Sequence, residues 1–188
     1  VPLHYQFVKA ATSNAQFDMA QILSNTLVQT EPDAAVTFVD NHDTQPSQAL
    51  ASWVPAWFKP LAYALILLRK EGIPCVFYGD LVGIPHDRIA PVMGLERMIR
   101  ARRDYAYGFQ RDYFDDANII GWTLSGDDQH PHSGLAVIMS DAPGGTKTME
   151  LGAALAGKTM RDVLMNQAEI IQLDENGCGT FPVGGGSV

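Results

Sequence analysis

The sequence has few cysteines, few basic residues and no long hydrophobic run, and each shortage excludes a class of protein. Its two cysteines, Cys75 and Cys178, lie in an apolar run and a glycine-rich turn, so we expect two separate thiols rather than a disulfide framework. The best candidate for a membrane span, residues 61–68, is far short of the roughly 20 residues that a spanning helix needs. Lys and Arg number 13 against 21 Asp and Glu, a net charge of −8, which argues against nucleic acid or an anionic membrane as a partner.

The rest of the composition is that of an ordinary globular protein. Hydrophobic residues make up 46% and charged residues 18% of the chain, which excludes a disordered protein. The length of 188 residues suits one large domain, or a domain and a half. The chain starts with Val-Pro-Leu, without an initiator Met or a charged signal-peptide region, so we expect a fragment or a processed product.

The first hundred residues alternate between helical and strand patterns. The patterns predict an amphipathic helix over 16–30, a strand over 34–39, a helix over 46–71 interrupted near its internal prolines, a strand over 74–78 and a helix over 93–103. Both strands are apolar runs typical of strands buried on both faces. The order strand–helix–strand–helix with short connections is typical of parallel βα units. Such folds place their chemistry where the strands end.

After about residue 107 the pattern changes to short strands separated by turns rich in Gly, Asp, Asn and Pro. It predicts an antiparallel β domain, arranged as a sandwich or Greek key. The sequence Asp-Glu-Asn-Gly at 174–177 is a strong hairpin signal. No linker separates the two halves, so we expect the β domain to pack directly on the α/β part. The predicted strands cover residues 119–124, 134–139, 146–151, 170–173 and 180–183.

One polar segment directly follows the first predicted strand. Residues 38–44 read Phe-Val-Asp-Asn-His-Asp-Thr, so a buried strand delivers two carboxylates and an imidazole to one end. If strand geometry continued, Asp40 and His42 would share one face, and Asp43 would project from the other into a cleft. A buried, ionised Asp is costly unless it is hydrogen bonded or faces positive charge, which an oxocarbenium-like transition state supplies. The alternative is that Asp43 or Thr44 caps the following helix.

Residues 38–44 resemble the strand-seven motif of the α-amylase family of (β/α)8-barrel glycoside hydrolases. Residues 74–80, Pro-Cys-Val-Phe-Tyr-Gly-Asp, resemble that family's strand eight. The resemblance implies an α/β plus all-β fold, with the C-terminal part of a TIM-type barrel (strands 6–8) in residues 1–106. An antiparallel Greek-key β-sandwich domain would follow in residues 107–188. The similarity extends through essentially the whole chain, and stretches at 57–64, 105–108, 119–122 and 184–188 resemble the liquefying bacterial α-amylases in particular.

The resemblance also assigns roles in the retaining endo-hydrolysis of internal α-1,4 bonds in starch or malto-oligosaccharides. Asp43 would hold the substrate ring and stabilise the transition state, and His42 would hydrogen-bond the sugar at the cleavage subsite. Gln45 would lie near the substrate cleft, and His4 would stand at the end of strand six. The family's nucleophilic Asp and its Glu acid/base belong to strands four and five, upstream of this chain. We therefore expect the chain to be inactive without the missing N-terminal part of the barrel, and to come from a secreted enzyme.

The same resemblance implies a Ca²⁺ site between the barrel and the β domain. Such a mixture of carbonyl and side-chain oxygens suits Ca²⁺. The family usually has Asp where this chain has Asn118, and the lost negative charge is expected to weaken binding. The family's principal calcium site uses residues upstream of this chain. The implied ligands are the backbone carbonyls of Ala15, Phe17 and Ala117 and the side chains of Asn118 and Asp141.

A function of a different class stays open, namely a non-catalytic glucan-binding module or a partner that completes a barrel. Three strands of an eight-stranded barrel leave two open edges and an uncovered apolar core, and such edges recruit other strands or aggregate. We therefore do not expect a stable soluble monomer of this chain alone. A strand-four Asp and a strand-five Glu encoded upstream would favour the enzyme, and a gene that begins near Val1 would favour the module.

Overall fold

Two parallel strands organise the first half of the chain in the computed structural model, which describes all residues 1–188. Strands β1 (Val36–Phe38) and β2 (Ile73–Cys75) pair in parallel, with Val36 opposite Ile73. This pairing confirms the βα organisation that the order of patterns predicts. The helices of this half are α1 (Pro2–Thr12), α2 (Leu27–Thr30), α3 (Lys59–Leu67), α4 (Tyr78–Val82) and α5 (Leu95–Tyr105). None of them is long and apolar enough to cross a membrane.

The structure corrects the expected first barrel strand. Residues 1–4 are not the end of a strand, because α1 begins at Pro2. Proline suits the first turn of a helix, where its missing N–H would have no partner in any case. The structure therefore contains two barrel-type strands rather than the expected strands 6–8.

The helix expected over residues 16–30 is also wrong. The segment forms only a 3-10 turn, Met19–Gln21, and the short helix α2. Polar side chains bond the backbone here instead. The Asp18 carboxylate accepts the N–H of Ala20, and Gln29 Oε1 accepts the N–H of Asn25, whose φ of 59° is left-handed. Such local bonds compete with helix formation, which explains why apolar residues at helical spacing do not form one continuous helix here.

Helix α3 is much shorter than the helix expected over 46–71. It begins only at Lys59, and residues 46–58 form turns. A residue that precedes proline avoids the helical region, so Pro46 and Pro55 keep this stretch irregular. From Leu61 to Leu67 every residue of α3 is buried, as its continuous apolar character predicts.

The second half folds into antiparallel ladders, as predicted. The five predicted strands are all present, and the sequence reasoning missed β3 and β7, which are short and have no alternating apolar pattern. Strand β4 pairs with β3 and β5, β6 pairs with β9, and β7 pairs with β8. The strands are β3 (Gln110–Tyr113), β4 (Ile119–Leu124), β5 (Leu135–Ser140), β6 (Gly145–Glu150), β7 (Thr159–Met160), β8 (Ile171–Gln172) and β9 (Cys178–Val183).

The predicted turn at 174–177 forms, because the N–H of Asp174 donates to the carbonyl of Cys178 at 2.8 Å. The two strands that it joins, β8 and β9, nevertheless pair mainly with other strands. The Greek-key order stays a prediction.

Strands β4 and β5 are buried on both faces. Alternate side chains, including Ile120, Trp122 and Val137, join the core of the first half. The intervening positions, such as Ile138, pack against a second small core that contains Met149 of β6. This alternation follows from the two-residue period of a strand. The β domain therefore packs directly on the α/β part, as the lack of a linker predicts.

Two polar contacts fix the angle between the halves at the end of α3. The indole N–H of Trp122 donates to the carbonyl of Leu68 at 2.8 Å. The guanidinium of Arg69, which is buried, donates two parallel bonds of 2.8 Å each to the carboxylate of Asp112 on β3. A planar, bidentate pair of this kind fixes orientation as well as distance.

Replacing Arg69 by Met should therefore destabilise the chain. The variant loses the two bonds to Asp112 and the ion pair with Glu71. Both carboxylates are partly exposed and can be rehydrated, so we expect a loss of about 2 kcal/mol in the free energy of unfolding. Urea denaturation followed by circular dichroism measures it. Arg103→Met is the matched control, since Arg103 is exposed and pairs only with its neighbour Asp104, and it should leave the midpoint unchanged. Equal midpoints for the two variants would contradict the assignment.

Candidate active site

The carboxyl ends of the two parallel strands carry three carboxylates. Asp40 follows β1, and Asp80 lies in the first turn of α4, just after β2. Both are buried, with exposures of 1% and 0%. Lys59, at the start of α3, places its ammonium between them, 2.9 Å from Asp40 Oδ2 and in contact with Asp80 Oδ1. The buried ammonium of Lys59 thus links both strand ends to α3, the helix that connects the strands.

The remaining carboxylate oxygens of this cluster also have donors. Thr44 Oγ1 donates to Asp40 Oδ1 at 2.8 Å, and the N–H of Val54 donates to Asp40 Oδ2 at 3.2 Å. The hydroxyl of Tyr63 donates to Asp80 Oδ2 at 2.7 Å. Burial raises the pKa of Asp40 above its usual range, although the Lys59 charge opposes the change. Burial, together with the Asp80 charge, raises the pKa of Tyr63.

Lys59 and Asp80 are residues of the site that sequence reasoning missed. A single Lys between apolar residues at the start of a buried helix is a usable signal, because lysine is almost never fully buried unless it is paired. Trp53, which lies in the loop before α3, covers the ammonium with its ring, whose centroid is 3.0 Å from Lys59 Nζ. Trp53 therefore adds a cation–π contact to the cluster.

The third carboxylate, Asp43, has a different environment. Asn41 Oδ1 accepts the backbone N–H groups of Asp43, at 2.9 Å, and of Thr44, at 3.0 Å. This turn directs His42 and Asp43 to the surface, with side-chain exposures of 81% and 56%. His42 Nε2 lies 3.5 Å from Asp43 Oδ1. Asp43 is thus the one carboxylate of the three that a ligand can reach.

The structure corrects two expectations for this segment. Strand alternation does not continue past β1, because the turn at Asn41 sends Asp40 inward and His42 outward. The helix-cap alternative is also wrong. No helix starts after Thr44, since α3 begins at Lys59 with Phe58 as its N-cap. Thr44 instead closes the turn: its hydroxyl accepts the N–H of Asn41 at 3.0 Å.

The other two residues expected to bind substrate differ in position. Gln45 is half-buried and adjoins the turn, and its N–H donates to the carbonyl of Asn41 at 3.2 Å. His4 lies on α1, 2% exposed, with Nδ1 2.6 Å from the carbonyl of Val39 and Nε2 2.8 Å from Ser52 Oγ. Both of its ring nitrogens are engaged within the protein. His42, Asp43 and Gln45 therefore lie on or next to the same turn. The buried position of His4 does not support a substrate contact for that residue.

The residues implied for Ca²⁺ lie at the junction of the two halves. Asn118 Nδ2 donates to the carbonyl of Ala15 at 3.1 Å and to Asp141 Oδ1 at 3.0 Å. The carbonyl of Ala117 accepts the N–H of Met19 at 2.7 Å. Phe17 is buried in the same chain segment as Ala15. Three of the implied oxygen ligands thus already accept N–H groups, and Asp141 supplies the single carboxylate of the set.

This arrangement does not fit Ca²⁺ as it stands. Ca²⁺ takes six to eight oxygen ligands, whereas here the side-chain nitrogen of Asn118 lies between the two oxygens that it bonds. The structure has no group of three or more His, Cys, Asp or Glu side chains that could hold a metal ion.

Comparison with solved structures defines the class of the fold. An α-amylase I variant from Eisenia fetida in complex with maltohexaose matches with a TM-score of 0.67 at 14% identity, over 99% of this chain and 46% of that chain. A cyclomaltodextrinase matches with a TM-score of 0.63 at 19% identity, over 98% of this chain and 34% of that chain. The chain has the fold of the corresponding part of such proteins, namely the end of a TIM barrel with its C-terminal domain.

Sequence comparison then identifies the particular relationship. No family model matches the sequence. The α-amylase of Geobacillus stearothermophilus is 52% identical over 188 residues, 100% of this chain and 34% of that protein. The glucan 1,4-alpha-maltohexaosidase of Bacillus sp. (strain 707) is 51% identical over 189 residues, 100% of this chain and 36% of that protein. The chain is homologous to bacterial α-amylases along its whole length, and it spans about a third of the length of these relatives.

Replacing Lys59 by Met tests the buried cluster. The variant leaves two buried carboxylates without a cation, so we expect it to lose about 3–5 kcal/mol at pH 7. The loss should shrink as pH falls, because an acid whose folded-state pKa is raised favours the folded state once it is protonated. Thermal melts at pH 7 and pH 5 measure both effects.

Arg111→Met is the control for this experiment. Arg111 and its partner Glu150 have side-chain exposures of 46% and 38%, and because surface ion pairs contribute little, this variant should melt close to the unsubstituted chain. A Lys59→Met loss that is equally large at both pH values would show that the carboxylates are not its cause.

Proposed function

We propose that this chain is the C-terminal part of an α-amylase, a retaining glycoside hydrolase that cleaves internal α-1,4 bonds of starch and malto-oligosaccharides. The observation that carries the proposal is the environment of Asp43. Of the three carboxylates at the strand ends, Asp40 and Asp80 are buried against Lys59, whereas Asp43 is exposed and has only His42 beside it. The names of the homologous enzymes and the maltohexaose in the related structure support the substrate class.

Asp43 acts in this proposal as the carboxylate that stabilises the transition state. Glycosidic bond cleavage develops positive charge on the sugar ring, and an anion fixed beside the ring lowers that barrier. The two N–H bonds to Asn41 hold the backbone of Asp43 in place before substrate arrives. His42 has an exposed imidazole next to the carboxylate, where it can hydrogen-bond a sugar hydroxyl.

The buried cluster reinforces the charge of Asp43. Two carboxylates, Asp40 and Asp80, share the single ammonium of Lys59. When both are ionised, the cluster carries one net negative charge just beneath the turn. Its field has the same sign as that of Asp43, so it favours positive charge developing at the same end of the strands. We therefore assign the cluster a supporting electrostatic role in addition to its structural one.

The nucleophile and the acid/base must come from elsewhere in this proposal. A retaining enzyme needs these two carboxyl groups about 5–5.5 Å apart at the scissile bond. No glutamate of the chain lies at the carboxyl ends of β1 and β2. Glu31 follows α2, Glu71 pairs with Arg69 after α3, and Glu96 lies on α5. We propose that the chain alone does not hydrolyse starch, and that the rest of the barrel supplies the missing groups.

The exposed face of the parallel strands supports the need for the rest of a barrel. Val36 and Ile73, which face each other across the pair, are 60% and 56% exposed. Cys75, at the end of β2, is exposed as well. The two-stranded sheet also has an open edge on each side. An apolar face with open edges favours the addition of further strands.

A chimera tests the proposed activity. Residues 1–188 replace the matching segment of the Geobacillus stearothermophilus α-amylase, and starch cleavage is measured as released reducing ends. We expect activity from the chimera and none from the isolated chain. Asp43→Asn in the chimera should lower kcat by at least about 10²–10³-fold, the usual effect of removing one transition-state contact.

The matched control is Asp33→Asn, an exposed carboxylate before the opposite end of β1, which should leave kcat unchanged. Starch cleavage by the isolated chain, or full activity of the Asp43→Asn chimera, would refute the proposal. A folded chimera that binds malto-oligosaccharide without cleaving it would instead favour the binding-module alternative.

Thiol labelling tests whether other strands cover β2. Cys75 is exposed in this chain and should react readily with a thiol reagent, whereas in the active chimera the added strands should slow its labelling at least about tenfold, as expected for a buried thiol. Mass spectrometry after proteolysis measures each site. Cys178, in the β domain, is the internal control, and its labelling rate should be the same in both proteins. Equal Cys75 labelling in both would contradict the expected coverage.

A further inference from the structure

The side-chain amide of Asn118 bonds both halves of the chain at the Asn118 junction, which we define as Ala15, Ala117, Asn118 and Asp141. Asn118 lies in the loop before β4, Ala15 follows α1, and Asp141 follows β5. The bonds of Asn118 Nδ2 to the Ala15 carbonyl and to Asp141 Oδ1 therefore connect three separate chain segments. Ala15 has a left-handed φ of 61°, an uncommon conformation for a residue other than glycine.

In the orientation that the structure shows, the amide of Asn118 leaves no place for a cation between the two oxygens. With Nδ2 directed at the two oxygens, a cation would face an N–H donor. With the amide rotated by half a turn, its oxygen would face two other oxygens, and that arrangement is favourable only when a cation lies between them. Binding a cation here would therefore require the amide to give up both of its bonds.

We propose that Asn118 takes the place of a metal ion, so that the junction is closed without Ca²⁺. The carbonyl of Ala117 agrees with this, because it accepts the N–H of Met19 at 2.7 Å and so already has one protein partner. The turn around Asn118 is also set independently, since Asp116 Oδ1 accepts the N–H groups of Asn118 and Ile119 at 2.8 Å each. These two bonds fix the loop that carries the amide.

The junction nevertheless keeps one feature that a cation could use. Asp141 Oδ2 is buried and has no hydrogen-bond partner. Replacing Asn118 by Asp would remove the amide donor and set a second carboxylate beside this unused oxygen. The geometry therefore predicts that one substitution converts the junction into a Ca²⁺ site.

The experiment compares melting temperatures in EDTA and in excess CaCl₂, with calorimetric titration of Ca²⁺, for the 188-residue chain. The unsubstituted chain should bind no Ca²⁺ and melt at the same temperature in both buffers. Asn118→Asp should melt lower than the unsubstituted chain in EDTA, because two carboxylates then face each other. In Ca²⁺ at about 100 times its Kd, this variant should gain about 5–10 °C.

Two further variants separate metal binding from general stability. Asn118→Leu removes the bonds without adding charge, and it should melt lower than the unsubstituted chain in both buffers alike. Asn118→Asp combined with Asp141→Asn should lose the response to Ca²⁺. A fall in the melting temperature of the unsubstituted chain in EDTA, reversed by Ca²⁺, would overturn the proposal, and so would an Asn118→Asp variant that ignores Ca²⁺. Neither readout depends on starch cleavage, so the result is independent of the proposed activity.

Discussion

The ammonium of Lys59 is the constraint on which the rest of the site depends. It is buried between two carboxylates that belong to different strand ends, and its own helix connects those strands. A buried charge of either sign would be costly alone, so each of the three groups requires the other two. The loop between β1 and α3 is attached to this cluster at two points, because Thr44 and Val54 both donate to Asp40. Fixing Lys59 therefore also fixes the turn that exposes Asp43.

The division between buried and exposed carboxylates follows from that constraint. Asp40 and Asp43 are separated by only two residues, yet one is fully buried and the other faces solvent. The Asn41 turn creates the difference by reversing the chain immediately after the strand. A straight strand would have placed the two side chains on opposite faces of one sheet instead. The turn lets one short segment supply both the anchor of the site and its accessible carboxylate.

The sequence predicts the parts of the structure that depend on local pattern. The parallel pair, the buried helix α3 and the main β-domain strands all follow from runs of apolar residues with a clear period. It fails where side chains decide the backbone, as at Asn25. The strand end expected at residues 1–4 comes from the resemblance and not from a local pattern, and α1 begins there instead. The residues of segment 38–44 allow either a site or a helix cap, and the resemblance to the α-amylase family favours the site. The partners of Asp40 are not, because Lys59 is distant in sequence and only the fold brings it to the strand end.

At two sites in this chain, one nitrogen-bearing side chain bonds oxygen atoms from separate segments. At the strand ends the group is charged, because Asp40 and Asp80 are both buried carboxylates and only a cation can offset them. At the junction the oxygens are one carbonyl and one carboxylate, and a neutral amide suffices. The difference in charge explains the difference in residue. Adding one carboxylate at the junction would place two carboxylates side by side, as at the strand ends, but without a lysine between them. A metal ion could then neutralise their charge.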